Sequence, residues 1–484
     1  MSASATPYVS RAPIRESLRI AGEKISRDRL IEVRHPFSGE LAGTVPKATL
    51  DDVKRALHIA RNFRSKLTRY DRYTILMKAG AIIAARRDDL ARLITLESGL
   101  CLKDSQYEVG RASDVLLFAA NQALVDDNQV FSCDLTAHGK SRKVYTLREP
   151  LLGAITAITP FNHPLNQVIH KVAPVIATNN RVVLKPSEKT PLTAFALADI
   201  LYEAGLPPQM LSVVTGDPAE IADELLTSAD VDLVTFTGGV AIGKYIAGKA
   251  VYKRQVLELG GNDPIIVLED ADIEEAATLA ASGSYKNSGQ RCTAVKRMLV
   301  QDSIADRFVE LLVEKTRAVK YGDPFDPTMD MGTVIDVPSA QRFESVVNEA
   351  VAGGARLLIG NLRRGALYSP TVLDRVTPDM TVVRYETFGP VSPVIRFKTV
   401  DEAIQIANGT AYGLSSSLCT NRIDMITRFV QELNVGNLNV REVPGYRLEM
   451  TPFGGIKDSG LGYKEGVLEA MKSFCNTKTY SLPW

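Results

Sequence analysis

Cys292 stands in the stretch "YKNSGQRCTAVKR", among small polar residues and directly behind Arg291. A cysteine in that setting is a nucleophile, a metal ligand or inert filler, and the adjacent positive charge needs its own explanation. Glu258 closes the apolar run "RQVLELGG". By itself it reads either as a general base or as half of a structural ion pair. Asn162, just before a helical stretch, reads first as a helix cap. The segment "VDLVTFTGGVAIGKY" places Gly238, Gly243 and Lys244 in a G-x-x-x-x-G-K pattern after a strand. A phosphate-hydrolysing loop needs Ser or Thr next, to hold magnesium, and Tyr245 occupies that place. What survives is a glycine turn at a helix N-terminus, whose N–H groups can hold a diphosphate. The G-x-G-x-x-G fingerprint is absent.

These residues must be held by elements, and the pattern names them. Segment 50–69 puts Val53, Leu57, Ala60, Phe63 and Leu67 on one face and predicts an amphipathic helix. A second helix is expected over 104–125. From about residue 151 short apolar strands alternate with helical segments: "LLGAITAIT", "RVVLKP", "LSVVTG", "VDLVTFTGG" and "RQVLELGG" are the strands. That alternation predicts βαβ units and a buried parallel sheet, with ligands at the carboxyl ends of its strands. A second α/β region runs from 262 to 465, and "SFCNTKTYSLPW" reads as a terminal strand.

Six stretches then belong together: "TPFNHPLN", "VVLKPSEKTP", "LELGGNDP", "SGQRCTA", "YETFGPV" and "PFGGIKDSG". In this order, over nearly the whole chain, they resemble the aldehyde dehydrogenase superfamily. The resemblance implies a Rossmann-like parallel-sheet cofactor domain (1–127 and 149–261), an α/β catalytic domain (262–465) and oligomerisation elements (128–148 and 466–484). It implies NAD-dependent oxidation of an aldehyde to an acid, with the hydrolytic rather than the CoA-acylating chemistry. The chemistry accounts for the residues. A thiolate attacking the carbonyl gives a thiohemiacetal that can expel hydride, and Cys292 is the candidate nucleophile. Asn162 and the Cys292 N–H would hold the oxyanion. Glu258 would activate the water that hydrolyses the thioester. The implied cofactor residues are Thr159, Pro160, Lys185, Glu188, Gly216, Thr237, Gly238, Gly239, Leu259, Glu386 and Phe388. Glu188 at the ribose repels a 2′-phosphate, which favours NAD and leaves NADP the weaker alternative. The family commonly has Ser where Gly239 stands and a second acid where Tyr385 stands.

Three positions in the implied aldehyde channel are cationic: Arg291, His163 beside the asparagine, and Arg111. Arg111 shares a helical face with Tyr107, Val115 and Phe118 and is expected to point inward. Singly, each has a plain reading: a surface salt bridge for Arg291, a flat ring for His163, a pair with Glu108 or Asp114 for Arg111. Together they suit a phosphonate or phosphate, because partly buried cations without an anion are costly. Arg291 adjoins the nucleophile, so the anion should lie a bond or two from the aldehyde. Phosphonoacetaldehyde, oxidised to phosphonoacetate in 2-aminoethylphosphonate breakdown, is the leading expectation. Non-phosphorylating oxidation of glyceraldehyde-3-phosphate is second, with sulfoacetaldehyde and succinate semialdehyde behind. Arg441 and Arg447 precede "TPFGG", and the sequence does not place them.

Composition sets the frame. A chain of 484 residues with net charge +1 gives no reason to expect nucleic acid or an acidic membrane as partner. No apolar run approaches a membrane span, and "MSASATPYVSRAPIRES" has no apolar leader region. The five cysteines are odd in number and scattered, with no C-x-x-C pair, which argues against disulfides and structural zinc. A cytoplasmic homodimer or homotetramer without a metal is expected.

Overall fold

The computed structural model describes residues 12–462 and 465–484. The opening of the stretch read for a leader, residues 1–11, lies outside them. Two seven-stranded sheets carry the molecule. In the first, the spatial order is Arg254–Glu258, Val231–Thr237, Ala154–Ile158, Val182–Lys185, Leu211–Val213, then Leu18–Ile20 and Glu23–Ile25. The first five strands are parallel and the last two antiparallel. Along the chain the parallel strands run outward from Ala154–Ile158 on one side, then return to its other side. The order therefore reverses between Ala154–Ile158 and Val231–Thr237, and a crevice opens at their carboxyl ends. The residues just past those ends are Thr159–Asn162 and Gly238–Gly239.

The second sheet runs Arg356–Ile359, Thr371–Asp374, Val391–Phe397, Arg297–Gln301, Pro264–Val267, Ser415–Cys419, Asn437–Val440, parallel except for its first strand. A third sheet of three strands joins Cys475–Leu482 to Lys143–Pro150 and Val130–Ser132, all antiparallel. Helix Val467–Ser473, which precedes the terminal strand, packs into the core behind the first sheet through Val467 and Ala470. No helix among the described residues is long and apolar enough to cross a membrane.

The helix expected over 50–69 is Leu50–Asn62. Phe63 turns extended, and Thr68 caps a new helix, Arg69–Ala85, in a capping box with Asp71. Phe63 and Leu67 still pack on the core, which is why the periodicity ran on past the true end. Helix Asn166–Ala177 is buried on every side, and its buried His170 and Lys171 are paired with Glu449 and Glu465.

Candidate active site

Cys292 follows a turn that L-residues resist. Asn287, Ser288 and Gly289 are consecutively left-handed, at φ 60°, 53° and 71°. Two non-glycine residues there cost roughly 1–2 kcal/mol each. Asp104 offsets this by accepting the Asn287 backbone N–H at 2.8 Å, a charge-assisted bond of roughly 1.5–3 kcal/mol. The Asn287 amide donates to the Asn162 carbonyl at 2.8 Å, and the Asn162 amide donates to the Gln290 carbonyl at 2.8 Å. The asparagine and the cysteine loop are thus stitched together twice. Gly261 is required on the other side, and Gly260 leaves room for the Glu386 carboxylate. A Cβ at Gly260 would meet a Glu386 carboxylate oxygen at 2.2 Å, and one at Gly261 the Cys292 carbonyl at 2.5 Å.

A cavity of about 730 Å³ runs from the first sheet's switch point to Cys292. Of the residues named from sequence, it is lined by Thr159, Pro160, Asn162, Lys185, Glu188, Thr237, Gly238, Gly239, Leu259, Cys292, Glu386 and Phe388. Glu258, Arg111, His163 and Arg291 are not among them, and neither is Gly216. Its lack of a side chain serves packing, since a Cβ would sit 2.8 Å from Ile221. Glu258 ends its strand buried just behind Leu259 and Gly260. Lys244 pairs with Asp458, and the Tyr245 hydroxyl donates to Asp223, so the G-x-x-x-x-G-K lysine is committed to a surface ion pair.

The cavity suits a dinucleotide. Lys185 and Glu188 are ion-paired at its edge. The Thr159 and Thr237 hydroxyls are buried and have no hydrogen-bond partner among the described residues. Gly239, capping helix Val240–Ala250, faces open space, so the missing serine removes a hydroxyl and no wall. Phe388, held left-handed at φ 56°, packs edge-on against Phe161. Lys296 bridges the Cys292 carbonyl (2.5 Å) and Glu386 (3.0 Å).

Burial pushes the Cys292 thiol up to about 11, and Lys296 opposes this only in part. The resting thiol therefore keeps its proton at neutral pH, and the thiolate fraction grows as pH rises. Iodoacetamide labelling of Cys292, mapped by peptide mass, should still be accelerating at about pH 10, where an ordinary thiol with a pKa of about 8.5 has levelled off.

One helix, Leu102–Leu124, serves the whole site from positions 104, 108 and 111, spaced to share a face. Asp104 holds the cysteine loop. Glu108 accepts the Leu165 and Asn166 N–H groups at 2.8 and 2.9 Å, and His163 Nδ1 lies 3.4 Å from it. Arg111 is ion-paired to Glu449, rather than to Glu108 or Asp114. Burial opposes its charge, but Glu449 outweighs burial and holds the guanidinium above its usual range. On the face expected to point inward, Arg111 and Val115 are largely buried while Tyr107 is half exposed. Glu449 also accepts from His170 Nε2 at 2.6 Å and stands 3.9 Å from Arg447.

Arg447 is the residue sequence reasoning left unplaced that arrives here. It stacks on Phe453 at 3.8 Å, its Nη1 is buried without a partner among the described residues, and it lies within the fields of Cys292 and Arg111. Arg441 stays outside, exposed and paired with Glu275. Arg291 is 9 % exposed and makes no ion pair among the described residues. Burial, and then the neighbouring charge of Arg111, pull it below the usual arginine range.

A dinucleotide-sized groove ending at a cysteine, between two parallel sheets, defines an oxidoreductase working on a carbonyl carbon. The chain belongs to the aldehyde dehydrogenase family, whose model matches residues 23–480. It is 39% identical over 456 residues to a 3-sulfolactaldehyde dehydrogenase of Priestia aryabhattai, covering 94% of this chain and 95% of that protein. It is 35% identical over 467 residues to a lactaldehyde dehydrogenase of Methanococcus aeolicus, covering 95% and 98%. Among solved structures it resembles glyceraldehyde-3-phosphate dehydrogenase of Methanocaldococcus jannaschii complexed with NADP, at a TM-score of 0.90 and 36% identity, covering 95% and 100%. This chain is an aldehyde dehydrogenase that uses a nicotinamide dinucleotide.

Proposed function

We propose that the chain oxidises a short aldehyde bearing a phosphonate, phosphate or sulfonate, with phosphonoacetaldehyde the leading substrate and phosphonoacetate the product. The observation that carries this reading is Arg291. It is a buried guanidinium next to the nucleophile with no carboxylate partner among the described residues, and leaving it without an anion is costly. Arg111, His163 and Arg447 supply the remaining donors.

Cys292 attacks the carbonyl carbon as its thiolate, the thiol proton having passed to solvent water before the S–C bond forms. Asn162 and the Cys292 N–H hold the oxyanion, for which the Asn162 amide turns from the Gln290 carbonyl it now meets. NAD, when bound, supplies the acceptor for the hydride that leaves the substrate carbon. Lys185 and Glu188 hold its adenosine ribose, and Glu188 disfavours NADP. Glu386 and Phe388 orient the nicotinamide end. Glu258 then takes a proton from the water that cleaves the thioester, releasing the acid and Cys292. The three-stranded sheet of 130–132, 143–150 and 475–482 is the proposed subunit contact of a dimer or tetramer, and the compartment proposed is the cytoplasm.

Glyceraldehyde-3-phosphate is the second reading. It is favoured by Arg447, which adds a donor to the anion site, and by three-carbon substrates in the names of the relatives. A substrate panel at fixed NAD, followed by NADH absorbance, tests both. It holds phosphonoacetaldehyde, glyceraldehyde-3-phosphate, sulfoacetaldehyde, succinate semialdehyde and uncharged lactaldehyde. A phosphonate or phosphate should give the highest kcat/KM. Equal or better turnover of lactaldehyde overturns the anionic reading.

A further inference from the structure

Lys286 opens the short turn Lys286–Gly289 that leads into Cys292. Its ammonium lies 3.1 Å from the centroid of the Tyr107 ring, and the Arg111 guanidinium lies 6.0 Å from the same ring. One aromatic ring thus gathers two cations. Among the described residues the Lys286 ammonium has no ion pair and no hydrogen bond, although the residue is half-buried; only its backbone N–H is engaged, donating to the Ser282 carbonyl. The acid whose charge acts on it is Asp104, one oxygen of which accepts the Asn287 N–H, and it makes no ion pair with Lys286. Exposure falls from Tyr107 (53 %) to Arg291 (9 %), with the Arg111 side chain between at 19 %. Lys286, Arg111 and Arg291 lie within one another's fields, beside a ring that is half exposed, and Arg291 adjoins the nucleophile. A ring face attracts an ammonium, but more weakly than a carboxylate would. This arrangement is one in which a visiting anion is the missing partner.

We infer that Lys286 is a specificity-determining residue, a further cation of the anion site, held over Tyr107 to draw in and retain the charged end of the aldehyde. The inference rests on the anionic-aldehyde reading above. It gives Lys286 a part that neither the reaction chemistry nor the inner arginines require.

The charge on Lys286 is conditional. Facing it are Asp104, Tyr107 and Arg111 from helix Leu102–Leu124, Cys101 just before that helix, and Arg291 from its own loop. Burial, then the charge of Arg291, bring its ammonium down to about 8. Below that pH Lys286 is a cation and the site is complete. Above it the amine is neutral and the anion site loses that charge. Preference for an anionic aldehyde should therefore fall in mildly alkaline solution, while turnover of a neutral aldehyde need not.

The test measures kcat/KM for sulfoacetaldehyde and for lactaldehyde from pH 6.5 to 9.5, in the wild type, Lys286→Gln and Lys286→Arg. A sulfonate keeps one charge over that range, and the ratio of the two substrates cancels titrations common to both, such as that of Cys292. In the wild type the ratio should fall about tenfold through pH 8, the size of one charge-assisted contact. In Lys286→Gln it should be low and flat. In Lys286→Arg it should be high and flat, because a guanidinium does not titrate there. A wild type with no preference for the sulfonate at any pH overturns the anionic-aldehyde reading and this inference with it. A preference that survives in Lys286→Gln, with its alkaline fall intact, overturns the role of Lys286 alone.

Discussion

Glu258→Gln should release about one equivalent of NADH per active site in a rapid burst and then nearly stop. The proposed mechanism has two halves with different needs. Forming and oxidising the thiohemiacetal uses Cys292 and Asn162. Hydrolysing the thioester needs a base for water, and a glutamine cannot supply one. Loss of a positioned general base typically costs about 10²–10⁴-fold, so the steady rate should drop by that amount while the burst persists. Intact-protein mass should show the acyl group on Cys292, and Cys292→Ala should abolish burst and adduct together. The substitution is isosteric. Glu258 is also a backbone partner, accepting the Gly238 N–H through its carbonyl at 3.0 Å, and the side-chain change leaves that contact in place. A variant that loses the burst as well would place Glu258 in the first half-reaction and sink its assignment to hydrolysis.

How much of this was readable in the sequence depends on how local the signal is. The alternation from 151 to 261 resolved into strands and helices almost as written, because each strand is buried on both faces and shows as a short apolar run. Thr159, Asn162, Lys185, Thr237 and Glu258 came together because each sits at or just past a strand end, while Cys292 arrives through the turn after a helix and Glu386 and Phe388 just past the short helix Thr381–Arg384. Pairings across distant elements carried no such signal. Along the helix the sequence offers Arg111 two acids, Glu108 and Asp114. Its partner is Glu449, 338 residues away. Asp104 and Glu108 looked like ordinary polar positions on a helix, yet one holds the cysteine loop and the other the helix after Asn162. Their i, i+4, i+7 spacing with Arg111 was the one trace available, and it becomes informative only once the face they share is known to meet Cys292. Arg441 and Arg447 were indistinguishable six residues apart; the fold sends one to Glu275 at the surface and the other into the core.

Arg291→Met should lower kcat/KM for phosphonoacetaldehyde about 10- to 100-fold and change that for lactaldehyde by less than about threefold. The lower figure follows from losing a single charge-assisted hydrogen bond of about 1.5–3 kcal/mol, with tenfold for each 1.4 kcal/mol. Methionine keeps most of the stem's volume, so the packing against the loop holding Cys292 is preserved. In the wild type Arg291 and Arg111 repel each other, and burial weakens the hold on charge at Arg291. Removing Arg291 therefore relieves the empty enzyme, and its thermal midpoint should hold or rise while activity toward the anion falls. That opposition of signs is the useful part. A structural arginine would lower both stability and turnover of every aldehyde. An anion-binding arginine lowers the KM-dependent term for charged substrates and leaves the neutral one near its starting value. Arg291→Lys should recover only part of the loss, because an ammonium cannot reproduce the two-pronged contact of a guanidinium with phosphonate oxygens. Equal losses toward phosphonoacetaldehyde and lactaldehyde in Arg291→Met would remove the anion from beside the nucleophile, and with it the reason for preferring a short phosphonate.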